Sequence, residues 1–236
     1  MSRPRPRGLL RRLSADNRGL ALLEFAFALP IVLGIGLYGV ETANLALTNM
    51  RVSQAALTLA DNASRVGVDS GLATQQLREV DINDVFAGLK RATAGWALTT
   101  RGRIVLSSLE EKGGKQIIHW QRCVGLKNSA DYKSHYGDAS ITDGTDTTAA
   151  NDGVETTGNL GMGDTGAKVV APPNSGVMFV EINYEYKPVV SASWLPGGSA
   201  RIKYIASFIV RDRREFAQIY NPAPAAARAT CNLYTT

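Results

Sequence analysis

The longest apolar stretch of the chain runs from Leu20 to Val40, with the sequence LALLEFAFALPIVLGIGLYGV, and it contains one charged residue, Glu24. About 20 apolar residues in a helix span the hydrocarbon core of a bilayer. The apolar core of a cleaved secretory signal is shorter, roughly 7–15 residues, and a small-residue cleavage site follows it. The length of the run therefore favours a transmembrane helix over a signal peptide that is removed.

Beyond Val40 the apolar pattern becomes periodic. Apolar residues recur every seven positions, and alanines occupy adjoining positions: Leu45, Val52, Leu59 and Val66, with Ala56 and Ala63. This spacing is the stripe of an amphipathic helix. We predict one helix from Leu20 to Val66, followed by Gly67 as a C-cap, with its outer half packed on a globular head. A coiled coil with another subunit would show the same stripe, but the short, alanine-rich pattern favours packing on a sheet.

The second half of the chain shows the alternation that is typical of β-strands. Strands are predicted over residues 103–109, 116–123, 177–190 and 202–211, and a second helix over 83–94 with Asn83 as its cap. In the third strand Val180 and Ile182 alternate with Glu181 and Asn183, which predicts one buried face and one solvent-exposed face. Gly113-Gly114 is predicted to close the first hairpin, and residues 194–198 the turn between the last two strands.

These elements together predict an α+β fold, a long N-terminal helix packed on an antiparallel sheet of about four strands. Residues 124–176 interrupt the pattern with a long polar segment rich in Gly, Asp, Thr and Asn. Loops of this length are functional or disordered, and we expect a solvated surface loop. Its aspartates could offer oxygen ligands to calcium, but their spacing does not match an EF-hand.

The positive charge of the chain is confined to its start. The net charge is +5, and residues 1–19 contain six arginines and one aspartate, so this leader alone accounts for it; the remainder has 20 basic and 20 acidic residues. A neutral body offers no positive field to a nucleic-acid backbone, so we expect no nucleic-acid partner. Arginines directly before an apolar run favour a membrane span over a buried helix, and they place the leader in the cytoplasm and the body outside it.

The candidate chemistry of the body is sparse. Its two cysteines, Cys123 and Cys231, are expected to form a disulfide in an oxidising compartment, with two unpaired thiols as the alternative. The two histidines, His119 and His135, belong to no recognisable catalytic or metal-binding spacing. We therefore expect no enzymatic activity, no cofactor and no metal.

Glu24 is the most informative residue, because a carboxylate inside a membrane span is costly and usually functional. It is the fifth residue after Gly19, which ends the basic leader. The segment from Arg18 to Ala26 resembles a class III signal peptide, the processing site of type IV pilins and pseudopilins. Over about 35 residues, from Arg18 to roughly Val52, the sequence is most similar to TadE/TadG-like minor pseudopilins of the tight-adherence (Flp-type) pilus.

The resemblance implies that a prepilin peptidase cuts between Gly19 and Leu20, leaving the helix on the mature protein. Glu24 would then be residue five and would meet the free amine of a neighbouring subunit. Phe25 follows Glu24 where the major Flp pilins have tyrosine, and this chain is long, so a minor component is implied. The Asp-x-Ser-x-Ser motif of the larger TadG-type proteins does not occur in the sequence.

Three regions follow from this interpretation: a cytoplasmic leader (1–19), a transmembrane helix (20–40) and a pilin-like periplasmic head (41–236). The implied location is the bacterial inner membrane, with entry into the pilus left open. The implied partners are the prepilin peptidase, other pilins and pseudopilins, and the inner-membrane pilus platform. Two alternatives stay open, namely an unprocessed, membrane-tethered binding module and a tethered envelope enzyme.

Overall fold

The computed structural model describes residues 19–67, 74–195 and 201–236. Helix α1 spans Leu20–Arg65 and is continuous through Pro30, which agrees with the predicted single helix. Its cap is Val66 rather than Gly67. The Arg214 guanidinium lies at this end and its Nη2 donates to the carbonyls of Ala63 and Val66, at 3.1 and 2.5 Å. A cation here stabilises the negative end of the helix dipole, although burial lowers the pKa of Arg214 to about 10.

Two shorter helices follow, α2 over Glu79–Thr93 and α3 over Leu98–Arg101. Helix α2 begins one turn before the predicted position, because its cap is not Asn83. Instead the carboxylate of Asp81 accepts the backbone N–H of Arg78 at 2.9 Å and also its guanidinium at 2.7 Å. An acidic residue in the first turn stabilises a helix start, and here it replaces the usual polar side chain at the cap.

The sheet has five antiparallel strands in the order β3-β2-β1-β4-β5. They are β1 Gly102–Lys112, β2 Lys115–Val124, β3 Val154–Glu155, β4 Gly176–Glu185 and β5 Arg201–Ile209. The α+β arrangement is confirmed, with one strand more than the four predicted. The additional strand, β3, lies in the polar segment. It has two residues, which is too few to show an alternating pattern in the sequence. Positive φ values of 61° and 81° at Gly113 and Gly114 make the predicted tight hairpin turn between β1 and β2.

Helix α1 lies across β4 and β5, and α2 lies beside α1. The core between helices and sheet contains the predicted stripe, Val52, Ala56, Leu59 and Ala63, and the inward residues of the strands, among them Ile104, Leu106, Val180 and Ile182. The alanines leave room for the helix backbone to approach the sheet. The sheet, rather than a second subunit, therefore covers this stripe.

The opposite face of the sheet is also buried, which the sequence did not predict. Glu181 and Asn183, expected to face water, are 1% and 0% exposed. The polar segment between β2 and β4 folds over them, and His135 from this segment contacts the Glu181 carboxylate through its Nδ1, at 2.5 Å, and its backbone N–H, at 3.1 Å. A second apolar cluster joins the segment to this face of the sheet, with Met162 and Ala171 from the segment and Leu109, Ile118, Val177 and Phe179 from the strands. The expected solvated loop is thus a cover for the sheet.

The C-terminal segment returns to the head and is tied to β2. Cys123 and Cys231 form the predicted disulfide across 108 positions of sequence. The N–H of Cys123 donates to Ala229 O at 2.7 Å. Arg103 of β1 donates to the carbonyls of Leu233 and Cys231, at 2.7 and 2.6 Å. The tail is therefore held by one covalent bond and by a buried guanidinium, whose pKa burial lowers.

Candidate functional site: the exposed half of the long helix

The predicted processing position lies at the very start of α1. Gly19 is the N-cap and is exposed, and its carbonyl accepts the N–H of Leu23 at 3.1 Å. Leu20 is 63% exposed. The arginine-rich residues 1–18 of the predicted leader lie outside the described residues. Nothing in the described chain covers the peptide bond between Gly19 and Leu20.

Gly19 occupies a position that does not require glycine. Its φ of −88° is available to every residue, and a Cβ built there would meet no atom within 4 Å. Glycine is needed where φ is positive or where another backbone approaches closely. Neither condition applies at Gly19, so no contact within the described chain accounts for a glycine there.

The apolar run forms the first half of α1 and stands clear of the head. Every residue from 20 to 40 is exposed except Gly34, which is half-buried. The exposed side chains include Phe25, Phe27, Ile31, Val32 and Ile35. A soluble domain seldom leaves a contiguous apolar surface of this kind. The helix is long and apolar enough to cross a membrane, and the structure leaves its surface free for lipid or for other helices.

Glu24 lies on this exposed surface, about one turn above Gly19. Within residues 19–67, 74–195 and 201–236, no cation forms an ion pair with it. Phe25 beside it is also exposed. Gly19, Leu20, Glu24 and Phe25 therefore all lie exposed in the first two turns of α1. Cys123 and Cys231 lie in the head, where the disulfide fastens the tail.

Glu41 marks the point where α1 enters the head, and the sequence prediction missed its role. The residue is 2% exposed although it directly follows the apolar run. One oxygen accepts the Tyr186 hydroxyl at 2.5 Å, and the other accepts the N–H groups of Val189 and Val190 at 3.0 and 2.7 Å. Asn44, one turn further along α1, donates to the same hydroxyl at 2.6 Å. The carboxylate thus fastens the helix to the segment that follows β4.

These donors set the ionisation of Glu41. The hydrogen bond from Tyr186 has the largest effect and lowers the pKa of Glu41. The Val190 N–H lowers this pKa further, whereas burial raises it. Donors that favour the charged form keep a buried carboxylate ionised. One signal in the sequence could have revealed the site, because Glu41 is four residues before Leu45 and so lies on the buried stripe of the helix.

The histidines of the head are both occupied by carboxylates. His119 Nδ1 lies 2.8 Å from Glu110 Oε2, and Ser108 Oγ donates to the other oxygen of Glu110 at 2.5 Å. Burial lowers the pKa of His119, but the hydrogen bond and charge of Glu110 outweigh it and the net shift is upward. The serine bonds the carboxylate rather than the imidazole, so this is not the arrangement of an activated nucleophile.

The described ranges also offer no cluster of three or more His, Cys, Asp and Glu side chains placed to hold a metal ion. A groove of about 650 Å³ does lie between α1 and α2. Its lining mixes polar and apolar side chains, including Arg51, Gln54, Asn62, Val85 and Trp96. It is open to solvent, and no titratable constellation converges on it.

No protein-family model, no curated protein and no solved structure matches this chain. The functional interpretation therefore depends on the chain's own residues and their geometry.

Proposed function

We propose that this protein is a TadE/TadG-like minor pseudopilin that serves assembly of a tight-adherence pilus and is processed by a prepilin peptidase after Gly19. The observation that carries the proposal is the division of α1. One 46-residue helix holds an apolar, exposed half with Glu24 near its start, and an outer half that is built into an α+β head. A helix of this kind joins a membrane to a periplasmic domain without a linker.

Gly19 supports processing because the fold itself does not require a glycine at this position. The fold gives no steric or conformational need for glycine at this position, whereas a peptidase that recognises the residue before its cleavage point would impose one. The exposed peptide bond between Gly19 and Leu20 is accessible to such an enzyme. Cleavage there leaves α1 intact, because the helix begins at Leu20.

Glu24 supports an assembly role through its cost in lipid. A carboxylate in a helix centre costs about 2.5–3.5 kcal/mol on insertion scales, and less near the interface. Pairing with the free amine of a neighbouring subunit would offset this cost and would fix the stagger between two helices. Phe25 and the other exposed apolar side chains supply the surface on which the helices meet.

In this proposal the protein resides in the bacterial inner membrane, with its leader in the cytoplasm and its head in the periplasm. Its partners are the prepilin peptidase, other pilins and pseudopilins, and the inner-membrane pilus platform. It performs no reaction of its own. The disulfide of the head fits an oxidising periplasm.

The first test is the mass of the N-terminal peptide, measured with and without a co-expressed prepilin peptidase. We expect a peptide that begins at Leu20 when the peptidase is present and an intact leader when it is absent. Gly19→Val should retain the leader under both conditions. Gly39→Val is the matched control, because a Cβ at Gly39 also meets nothing within 4 Å, and it should be processed like the wild type. A wild-type leader that survives an active peptidase would contradict the proposal.

A second test separates assembly from processing. Glu24→Ala should be cleaved normally but should no longer co-purify with the pilus platform or other pilins from detergent extracts. Glu24→Asp, which keeps the charge, should retain part of this association. Equal recovery of partners with wild type and Glu24→Ala would remove the assembly role.

The groove between α1 and α2 favours a second candidate, a membrane-tethered binding module that is never cleaved. The two candidates differ in the N-terminus of the mature protein and in the response to Glu24→Ala. An uncleaved leader, together with tolerance of Glu24→Ala, would select the binding module.

A further inference from the structure

The residues that follow β4, described up to Leu195, bend back towards α1 instead of extending the sheet. Strand β4 was predicted to reach residue 190, but it ends at Glu185. Pro188 lacks an N–H group and so favours the end of the strand. The next two N–H groups, of Val189 and Val190, are bound by the Glu41 carboxylate. The connection is therefore fixed against the residue of α1 that directly follows the apolar run.

The same connection extends past Glu41 towards the apolar run of α1. The ring of Trp194 lies 6.4 Å, centroid to centroid, from the ring of Tyr38. Tyr38 is inside the apolar run, two residues before Val40, or about 3 Å along the helix axis. Trp194 is therefore level with the last turn of the apolar run, and the next residue, Leu195, is buried in the core of the head.

The composition of this connection suits a lipid interface. From Tyr186 to Leu195 the sequence is YKPVVSASWL, with Lys187 as its single charge. Val189 is 64% exposed although its backbone is fixed to Glu41. Tryptophan and tyrosine concentrate at the boundary between hydrocarbon and water, and a lysine can place its ammonium among headgroups. The exposed Val189 and the paired rings of Trp194 and Tyr38 thus lie near the outer end of the apolar run, and the exposed Lys187 is in the same connection.

We propose that the connection after β4 makes a second membrane contact between its two core residues, Tyr186 and Leu195, with Val189 and Trp194 in the outer interface of the bilayer that α1 crosses. This inference rests on the membrane anchor of the proposed function. The occupant of this surface is the lipid itself, because the surface continues the apolar run at its outer end. Two contacts, α1 and the connection, then fix the distance and tilt of the head relative to the bilayer. A helix alone would allow the tilt of the head to vary.

The test uses the full-length protein, with its disulfide formed, in vesicles of phosphatidylethanolamine and phosphatidylglycerol. Single cysteines replace three exposed residues, Ile31, Val189 and Leu57, and carry nitroxide labels. Leu57 is 17 positions beyond Val40, about 25 Å along the helix, and is the aqueous control. We expect the labels at 31 and 189 to collide more with oxygen than with a water-soluble nickel complex, and the label at 57 to show the reverse.

The three labels distinguish failure of the inference from failure of the anchor. A lipid-exposed label at 31 with an aqueous label at 189, equal to that at 57, would overturn the second contact and leave the anchor in place. An aqueous label at 31 would overturn both.

Tryptophan fluorescence gives an independent measurement without new cysteines. Vesicles with bromine on the acyl chains near the interface should quench the wild type, and Trp194→Phe should remove at least half of that quenching. Trp96→Phe is the control, because Trp96 packs on Tyr184 in the head, with ring centroids 5.4 Å apart. This variant should lose the same fluorescence intensity to the brominated lipid as the wild type. Equal quenching of wild type and Trp194→Phe would overturn the proposal.

Discussion

The two halves of α1 share one backbone geometry but meet different surroundings. Residues 20–40 carry large apolar side chains on all sides, and nearly all of them are exposed. Residues 41–65 bury one side, made mostly of alanine, valine and leucine, on the sheet, whereas their exposed side mixes polar residues with Leu47, Met50 and Leu57. Leu59 is 1% exposed, whereas Leu57, two positions away, is 42% exposed.

The difference is the one expected of a helix adapted to two solvents, and the apolar half is long enough to cross a membrane. In lipid every side of a helix meets hydrocarbon, so an apolar residue is favoured at each position. Over a sheet only one stripe is covered, so a 3.6-residue period appears and alanine allows close approach. Glu41 stands where the two patterns meet, and its hydrogen bonds to the connection after β4 fasten the apolar half to the head.

The largest expected effect concerns the head alone. Replacement of Cys123 and Cys231 by serine releases a loop of 108 residues and should lower the free energy of unfolding by about 4–5 kcal/mol in the chain-entropy model. Denaturant unfolding of the full chain in detergent measures this loss. Membrane association should not change, because the apolar half of α1 makes no use of the disulfide. A loss of membrane association in the same variant would show that the two halves are not independent.

The next effect separates the two sides of the outer half. Leu59→Ala should lower the free energy of unfolding by about 2–5 kcal/mol, because it leaves a cavity between α1 and the sheet. Leu57→Ala is the matched control and should stay within about 0.5 kcal/mol of the wild type. Equal losses in the two variants would mean that the helix is covered on both sides, for example by a second subunit.

A charge in the apolar half should act on membrane insertion and not on folding of the head. Ile31→Asp places a carboxylate near the middle of the apolar run and should cost about 2.5–3.5 kcal/mol of insertion free energy. A glycosylation-based insertion assay measures it, with Ile31→Leu as the control. The head should unfold at the denaturant concentration of the wild type, since Ile31 touches none of its core. A shifted midpoint would contradict the separation of the halves.

The smallest effect belongs to the joint between the halves. The folded protein lowers the pKa of Glu41 below its usual value of 4.5, so the stability that this carboxylate adds is fully present above pH 4.5. It is lost as the pH falls through the lower, folded-state pKa. Glu41→Gln should reduce the acid dependence of unfolding, measured from pH 7 to pH 3. An unchanged acid profile in Glu41→Gln would assign that dependence to other carboxylates.

Several elements were predictable because local pattern controls them. The bounds of α1 agree within one residue, the Gly113-Gly114 turn was found from its two glycines, and the four longer strands were placed from their alternation. The start of α2 and the two-residue β3 were missed. Arg78 has no capping propensity of its own, and β3 is defined only by its pairing with β2. The predicted turn at 194–198 extends into residues 196–200, which lie outside the described residues.

The candidate site divides in the same way. Gly19, Leu20, Glu24 and Phe25 could be named from the sequence because they lie in one continuous segment whose spacing carries the information.

The sequence also determined the apolar run, the basic leader, the amphipathic stripe and the pair of cysteines, since each depends on residue type and interval along the chain. Tertiary structure alone decided that the polar segment covers the second face of the sheet, that Glu41 binds the connection after β4, and that Trp194 meets Tyr38. These contacts join residues between 46 and 156 positions apart, and no local period encodes which distant groups will satisfy a buried carboxylate or lie beside an aromatic ring.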